Sequence, residues 1–406
     1  MRILYHHRTQ AEDGQAVHVR ALLEAFEAEG HVVHEVGLVR HHAREGEGER
    51  AASRNGRARW SWVTRLPRFL RELAEYGYSG IARRRVVGAA ARFRPDFLYE
   101  RYAFGNAAGV LAARRLRLPL VLEVNSPMVL ELQRTRGLSF PGLARKLESF
   151  VFGAADRVCA VTGVLGEMLI ELGVPRERLF VTPNGVHLER YDYPDRDRTR
   201  HAARRDLGLA PPDEPDEMKP AERKEGEITF GFVGYYRAWH RLDLALEALG
   251  RSELARARLV LIGAGPAREG LERRAVALGV RDRVVFAGAR PHDRIPALLP
   301  AFDVALIPAI NPYASPLKLH EYMAAELAVI APDQPNLREV LEAGVNASLF
   351  AAHDGEALGA AMVALAGDAE LRRALGAAAR ATVVERDLTW GGNARRVVAA
   401  VEGLLA

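Results

Sequence analysis

Short apolar segments alternate with amphipathic ones along most of this 406-residue chain. The first apolar segment comprises residues 3–5, and after Gly14 the apolar residues recur at helical spacing. A regular alternation of strands and helices is typical of parallel α/β sheets that carry helices on both faces. The alternation stops near residue 193 and restarts at Ile228, so the sequence predicts two separately wound α/β domains in series.

The same alternation sets the predicted domain limits. The first domain covers residues 1–185 and the second covers residues 186–385. From about residue 193 to about residue 226 the chain is rich in Asp, Arg, Glu and Pro and has few large apolar residues. Such a segment buries little surface. We therefore expect residues 193–226 to be a mobile charged insertion or linker of the second domain.

Composition excludes several classes of protein. The single cysteine, Cys159, cannot form an internal disulfide and fits a reducing compartment. CxxC and HExxH spacings are absent, so we predict no metal site. The net charge of +5 suits anionic ligands or a solvated arginine-rich surface, and without a reading module nucleic acid is not a predicted partner. The first residues have no signal-peptide pattern and no apolar run reaches membrane-spanning length, so a cytoplasmic protein is expected.

Residues 60–71 combine Trp60 and Trp62 with arginines and apolar residues. One interpretation is an interfacial helix that contacts an anionic membrane. The alternative is an ordinary amphipathic helix packed on its own domain, and Pro67 favours it because a proline interrupts the helical periodicity. Peripheral contact with the inner face of the membrane stays open as a hypothesis.

The stretch from Ser315 to Ala325 is the most informative one for function. Ser315 is a favourable N-cap of a helix, and Pro316 suits the first helical position. The free N–H groups and the positive dipole end of such a helix attract phosphate. Lys318 lies in the first turn, where a cation opposes the dipole, although the chain has only four lysines among its 57 Lys and Arg. Glu321 lies one turn further on the same side, so the stretch fits a diphosphate joined to a ribose.

Loops after strands provide the other candidate contacts, because ligands bind at the carboxyl ends of strands in open α/β sheets. Gly14 follows the first strand and lets backbone approach a ligand, with an ordinary turn as the alternative. His18, in the next helix, could contact a ligand, but a lone histidine on a helix is more often a surface residue, and this is the expectation. The dinucleotide pattern GxGxxG is incomplete after Gly263, so hydride transfer is not predicted. The candidate donor contacts of the second domain are Gly234, Arg237, His240, Gly263, Gly288 and Arg290. The alternative is a structural ion pair for Arg237 and a turn for Gly263 and for the segment that ends at Arg290.

Taken in chain order, these segments resemble a GT-B glycosyltransferase of family 4. The likeness covers nearly the whole chain and is stronger in the second half. The segments that carry it are Gly14, Tyr99–Tyr102, Leu122–Pro127, Thr182–Val186, Phe232–Gly234 with Arg237 and His240, Leu261–Pro266, Ser315–Ala325, Pro332–Asp333 and Leu337–Val340.

The resemblance implies a GT-B fold, in which two Rossmann-like doubly wound domains face a central cleft. It also implies transfer of a sugar from a nucleotide diphosphosugar with retention of configuration, without a metal or another cofactor. The first domain would bind the acceptor and the second the nucleotide sugar. The last segment, residues 386–406, would pack back on the first domain.

At the level of residues, the resemblance implies that Glu321 holds the ribose. The backbone of Ser315 and Leu317 would lie near the diphosphate, with Pro316 and Lys318 beside them. Charge on the departing phosphate would be stabilised by Lys318 and Arg237. Asn125 would approach the donor on domain closure. The candidate catalytic residues are therefore Lys318, Arg237 and Asn125.

Three positions depart from the family pattern. Tyr313 stands where many members have a glutamate that faces the donor sugar, so it is a candidate donor contact. His240 occupies the place of a lysine, and its charge is expected to depend on pH. Asn125 stands where a histidine commonly ends the strand near the sugar.

The acceptor is expected to be a hydroxyl of a glycan, a glycolipid or a small molecule. Two alternatives to a glycosyltransferase stay open at this point. One is another sugar-nucleotide enzyme of the same fold, an epimerase or a phosphorylase. The other is a non-catalytic nucleotide-sugar binding protein, which would bind the nucleotide without transferring the sugar.

Overall fold

The computed structural model describes residues 1–10, 14–39, 41, 66–209 and 227–405. The chain divides into two compact units, one of Met1–Gly185 with Trp390–Ala406 and one of Val186–Thr389. Each unit is built on its own six-stranded parallel sheet. The predicted fold class, α/β with two Rossmann-like doubly wound domains, is thereby confirmed. The second unit extends past residue 385 to Thr389.

The first unit has the strand order β2-β1-β3-β4-β5-β6. Its central strands are buried along their whole length, as expected for a parallel sheet covered on both faces, and they are apolar except for Glu100, Arg101 and Glu123 near their carboxyl ends. The strands are β1 Arg2–His6, β2 Val32–Val36, β3 Phe97–Arg101, β4 Leu120–Val124, β5 Arg157–Ala160 and β6 Leu179–Val181. The helices that surround them are α1 Gly14–Ala28, α2 Arg68–Phe93, α3 Ala108–Leu116, α4 Met128–Thr135, α5 Pro141–Ala154 and α6 Gly163–Glu171.

The second unit has the strand order β12-β11-β10-β7-β8-β9. Alternate residues of its strands belong to two apolar clusters, one on each face, as Val260 and Leu261 illustrate. The strands are β7 Thr229–Val233, β8 Arg258–Ile262, β9 Val284–Gly288, β10 Val304–Leu306, β11 Ala328–Asp333 and β12 Ser348–Ala351. The helices are α7 Arg196–Asp206, α8 Leu242–Leu249, α9 Arg268–Ala277, α10 Ile295–Leu298, α11 Leu317–Ala324, α12 Pro335–Arg338, α13 Gly355–Gly367 and α14 Ala369–Glu385.

The last helix, α15 (Trp390–Leu405), belongs to the first unit and packs against α1. Its apolar face buries Trp390, Val397 and Val401. The side-chain amide of Asn393 donates to the carbonyl of Pro183, which fixes the start of α15 beside the end of the first domain's chain.

The expectation of a mobile charged segment from residue 193 is wrong for its first half. Helix α7 begins after Asp195, whose carboxylate accepts from the backbone N–H of Arg198 at 2.9 Å. Ala203 is buried in the core, and Arg200 bonds to Asp303 at 2.9 Å. A helix needs only a narrow apolar stripe to pack, and a composition rich in arginine conceals such a stripe. Residues 210–226 lie outside the described residues.

The predicted membrane segment is only partly described. Trp60 and Trp62 lie outside the described residues, and α2 begins at Arg68, directly after Pro67. Within the described part of the chain, no helix combines the length and the apolarity that crossing a bilayer requires.

Candidate functional site

The strand order of the second unit creates a topological switch point between β7 and β10. Ligands of such sheets bind outside the carboxyl ends of the strands at this point. Gly234 directly follows β7, and the chain after β10 leads to α11. The backbone N–H of Val233 donates to the hydroxyl of Tyr322 at 2.7 Å, and so ties the end of β7 to α11. The sheet therefore brings two of the predicted segments to one edge.

Helix α11 begins at Leu317, one position later than the sequence predicts. Pro316 has φ −77° and ψ 126° and occupies the N-cap position, without a side-chain cap. The assignment of Ser315 as N-cap is therefore wrong, because the proline ring fixes φ but leaves ψ free to be extended. Lys318 still lies in the first turn, whose backbone N–H groups have no intrahelical acceptor.

Tyr313, the position of the expected family glutamate, is 8% exposed. It lies in the segment between β10 and α11. Asn336 of α12 donates its side-chain amide to the carbonyls of Asn311 and Ala314, at 3.2 and 2.7 Å. These two bonds hold the segment on both sides of Tyr313, so its aromatic ring is attached to a firmly held stretch of backbone.

Lys318 is mostly buried and has no carboxylate partner among the described residues. Its Nζ lies 4.0 Å from the ring centroid of Phe232. It also lies against Gly234, where an added Cβ would come within 2.9 Å of Nζ. Burial lowers the pKa of Lys318 to about 7, although the negative field of Glu321 acts in the opposite direction. An anion placed at this edge would restore the full charge of the ammonium group.

His240 ends the short 3-10 turn Ala238–His240 and is 6% exposed. Its ring lies edge-on to Phe232 at 5.3 Å and against Trp239 at 3.9 Å. Burial, together with the charge of Lys318, lowers the pKa of His240 to about 3. The expectation that its charge varies with pH in the physiological range is wrong, because the ring is neutral there.

Arg237 precedes this turn and is exposed. Its guanidinium carbon lies 4.9 Å from the ring centroid of Tyr235, which is itself 53% exposed. Stacking on an aromatic face restricts the guanidinium without neutralising it. Arg237 is thus a solvent-facing cation in the same loop as Gly234.

Glu321 is 6% exposed, and its Oε1 lies 2.5 Å from Nε2 of His292. Sequence reasoning missed His292, which follows β9 in the short turn His292–Arg294. No local pattern marks it, since its significance comes from a partner far along the chain. The contact holds the carboxylate that the sequence assigns to a ribose.

The glycines of the second unit differ in role. Gly263 has φ 144°, and a Cβ there would overlap the carbonyl of Gly234, so this glycine allows two loops to pack closely. Gly288 has φ 74° with open space where a Cβ would be, and its carbonyl accepts from Gly263 at 2.8 Å. Arg290, which the sequence assigns to the donor, pairs with Asp206 of α7 at 3.4 Å. This ion pair gives Arg290 a structural role, and its contact with the donor stays a prediction.

In the first unit, Asn125 directly follows β4 and donates its side-chain amide to Glu123. Glu123 also accepts from Tyr99 at 2.8 Å and is paired with Arg101. Burial would raise the pKa of Glu123, but the charges of His18 and Arg101 hold it well below its usual range. Because an ionised carboxylate only accepts, the Asn125 amide must turn its NH₂ toward Glu123 and present its carbonyl oxygen elsewhere.

His18 is buried, so the expectation of a surface residue is wrong. Its Nε2 lies 3.0 Å from Glu123, and its Nδ1 bonds to Asn184 at 2.8 Å. Its ring meets Trp390 at 4.8 Å in an edge-to-face arrangement. Gly14 is the first residue of α1, and residues 11–13 before it lie outside the described residues. Gly14 and Asn125 belong to the first unit, whereas the other site residues belong to the second.

Comparison with known protein families gives two matches that together span both units. Residues 13–190 match the family described as Glycosyltransferase Family 4. Residues 213–382 match the family described as Glycosyl transferases group 1.

Curated relatives include two enzymes named D-inositol 3-phosphate glycosyltransferase. The protein of Nocardia farcinica is 29% identical over 322 residues, which are 76% of this chain and 65% of the relative. The protein of Xylanimonas cellulosilytica is 30% identical over 300 residues, which are 70% of this chain and 67% of the relative. The chain thus spans about two thirds of the length of these relatives, and slightly less for the first.

Among solved structures, the chain is similar to Anabaena HepE in complex with UDP-glucose. The TM-score is 0.70 with 17% sequence identity, over 99% of this chain and 100% of that chain. At this identity the similarity concerns the fold.

The first prediction concerns the cost of burying Lys318. The pKa of Lys318 is about 7 in the folded protein and lower than that of a lysine in the unfolded chain. Between these two pKa values the unfolded chain binds more protons than the folded one. The free energy of unfolding therefore rises with pH over this range because of Lys318. Each unit of depression costs about 1.4 kcal/mol. We expect Lys318→Met to raise the free energy of unfolding of the ligand-free protein at pH 7, and to raise it less at pH 10. Urea unfolding at both pH values measures this, with the exposed Lys146→Met as control. A variant less stable than wild type at pH 7 would contradict the assignment.

The second prediction concerns the compensated charge of Glu123. Glu123→Gln keeps the shape of the side chain but leaves His18 and Arg101 without their buried anion. Breaking a buried pair from one side costs about 3–5 kcal/mol, and we expect a loss in this range. Glu167→Gln, which removes an exposed partner of Arg176, is the matched control and should leave the unfolding midpoint unchanged. Equal stability of the two variants in urea would show that the Glu123 network is not stabilising.

Proposed function

This chain belongs to glycosyltransferase family 4 and has the two-domain GT-B fold, and we propose on that premise that it transfers a sugar from a nucleotide diphosphosugar to an acceptor hydroxyl. The anomeric configuration of the sugar is retained in the proposed reaction. The observation that carries the proposal is Lys318, a mostly buried cation without a carboxylate partner among the described residues, in the first turn of α11. Glu321 follows one turn later.

The proposed donor site divides into a phosphate part and a ribose part. Lys318 and the first N–H groups of α11 suit the diphosphate, because cations and helix starts both stabilise phosphate charge. Arg237 adds a second cation from the loop after β7. Glu321 suits the ribose, since a carboxylate accepts hydroxyl hydrogens, and His292 holds it in place.

In the proposed reaction the main contribution of the protein is to stabilise negative charge. The bond between the sugar carbon and the phosphate oxygen breaks, and the acceptor oxygen forms a bond to the same carbon on the same face. Negative charge develops on the departing phosphate, where Lys318, Arg237 and the dipole of α11 act. The proton of the acceptor hydroxyl passes to the departing phosphate. This assigns the stabilisation to groups of the chain and requires no metal or other cofactor. The roles of Gly14 and Asn125 stay predictions.

The relatives suggest the first compounds to test. HepE was crystallised with UDP-glucose, and two curated relatives are named for D-inositol 3-phosphate. We propose UDP-glucose as the first donor and D-inositol 3-phosphate as the first acceptor to be assayed. The acceptor class is a hydroxyl of a glycan, a glycolipid or a small molecule.

We also propose a cytoplasmic location with peripheral contact at the inner face of an anionic membrane. Phe69, Leu70 and Leu73 of α2 are 48, 40 and 46% exposed. Arg68 and Arg71 lie among them, so the start of α2 combines apolar and cationic side chains as interfacial helices do. The single thiol, Cys159, is free and buried, which fits a reducing compartment.

The donor proposal is tested by thermal unfolding with glucose conjugates of UDP, GDP, ADP and TDP. A ligand present at a hundred times its Kd adds about 2.7 kcal/mol, so the matching donor should raise the Tm by several degrees. Lys318→Ala and Glu321→Ala should each remove most of this rise, whereas Lys146→Ala should retain it. A full donor response in both variants would reject the site.

Release of nucleoside diphosphate on adding acceptor separates the functions. Transfer to the acceptor supports the glycosyltransferase. Binding without transfer or hydrolysis would instead indicate a non-catalytic module. Change of the donor without an acceptor would indicate an epimerase, and a requirement for phosphate alone would indicate a phosphorylase.

The membrane proposal is tested by sedimentation with vesicles of phosphatidylcholine containing phosphatidylglycerol. Phe69→Ser combined with Leu73→Ser should reduce binding at least fivefold, because both changes remove apolar surface from one side of α2. Ile81→Ser, at a similarly exposed position of the same helix, is the control. Unchanged vesicle binding by the double variant would reject the contact.

A further inference from the structure

Two basic side chains from different elements meet at one aromatic ring in the second unit. Phe232 is fully buried on β7, two residues before Gly234. Lys318 reaches its ring from α11, with Nζ 4.0 Å from the centroid. His240 meets the same ring edge-on at 5.3 Å, from the turn after β7. Lys318 and His240 thus contact the same aromatic ring.

Electrostatic repulsion favours a single positive charge beside the Phe232 ring. His240 is buried and Lys318 is mostly buried, and neither has a carboxylate partner among the described residues. Like charges that contact one ring in a poorly solvated site repel each other. The structure resolves the conflict by leaving the imidazole of His240 neutral, with Nδ1 accepting from the backbone N–H of Arg237 at 3.4 Å. Lys318 is then the group that carries the charge.

Resting on the donor site proposed above, we propose that positions 240 and 318 are alternative sources of a single cation that neutralises the donor diphosphate. In this chain the cation comes from α11, and His240 is a positioning residue. Its neutral ring fills the space beside Phe232 and keeps a second charge away from Lys318. A lysine at position 240 should therefore substitute for Lys318 when position 318 is neutral.

The immediate surroundings support an exchange between these two positions. Gly234 lies directly against Nζ of Lys318, and its lack of a side chain keeps the approach to the ammonium group open. The ring of Trp239 also lies against that of His240, with the two centroids 3.9 Å apart. Because His240 contacts both Phe232 and Trp239, we expect a longer side chain at position 240 to lie along Phe232. Ala238, in the same turn, is exposed and offers no such path.

The test uses the full chain and whichever of UDP, GDP, ADP and TDP raises the Tm of wild type most. Isothermal titration at pH 7.5 then gives its Kd for each variant. Lys318→Met should weaken binding at least tenfold. The double variant His240→Lys/Lys318→Met should recover at least half of that loss on a logarithmic scale. Ala238→Lys/Lys318→Met, which has the same net charge, should recover nothing.

Two results would overturn the proposal. One is a double variant that binds no better than Lys318→Met, and the other is equal recovery by the Ala238 control. If the double variant does not fold, the single His240→Lys variant decides. In this variant two cations contact one ring, so its Tm without ligand should be lower than that of wild type. The nucleotide should then raise the Tm of the variant by more than it raises that of wild type. An equal shift rejects the proposal.

Failure of this inference is separable from failure of the proposed function. If wild type binds none of the four nucleotides, the donor site and this inference fall together. If wild type binds and Lys318→Met weakens binding but position 240 cannot compensate, the donor site stands and only the exchange of the cation is rejected.

Discussion

Both units depend on the common direction of their strands, because all strands of a parallel sheet end at the same edge. In the second unit this edge receives the loop after β7 and the start of α11, although three strands (β8 to β10) and three helices (α8 to α10) separate them in sequence. The hydrogen bond from Val233 to Tyr322 fixes their separation. Phe232, His240 and Lys318 meet as a direct consequence of that strand order. The strand order therefore determines which segments can supply side chains to this site.

The two units treat buried charge in opposite ways. In the first unit Glu123 is surrounded by donors, including Tyr99 and Arg101, and burial of its carboxylate is compensated within the protein. Such a group stabilises the fold and orients its neighbour Asn125. In the second unit Lys318 is buried without an equivalent partner among the described residues, and its lowered pKa records that deficit. An uncompensated charge reduces stability in the free protein, and perturbed groups of this kind are concentrated at functional sites.

Local signals in the sequence point to part of the candidate site. Lys318 and Glu321 were identified because a proline, a helix start and two charges lie within a few residues, and that spacing is visible in sequence. The strand–helix alternation gave both domains for the same reason. His292 and the buried position of His18 were not predictable, because their partners lie in other elements and no local period encodes such contacts. Helix α7 was missed because its core contact depends on small residues such as Ala203, which a count of large apolar residues ignores.

Electrostatic coupling makes the ribose and diphosphate parts of the proposed site dependent on each other. The field of Glu321 raises the pKa of Lys318 against the effect of burial, so the carboxylate assigned to the ribose also supports the cation assigned to the phosphate. His292 holds that carboxylate at 2.5 Å and thereby influences both. Energies of groups in one such network do not add, and coupling terms reach about 0.5–3 kcal/mol. Loss of Glu321 would remove a ribose contact and also leave Lys318 with less charge. A bound diphosphate would have the opposite effect on Lys318, because its negative charge raises the pKa of the ammonium group. The charged Lys318 would then stabilise the ionised carboxylate of Glu321. The site should therefore bind a whole nucleotide more tightly than its separate parts would predict.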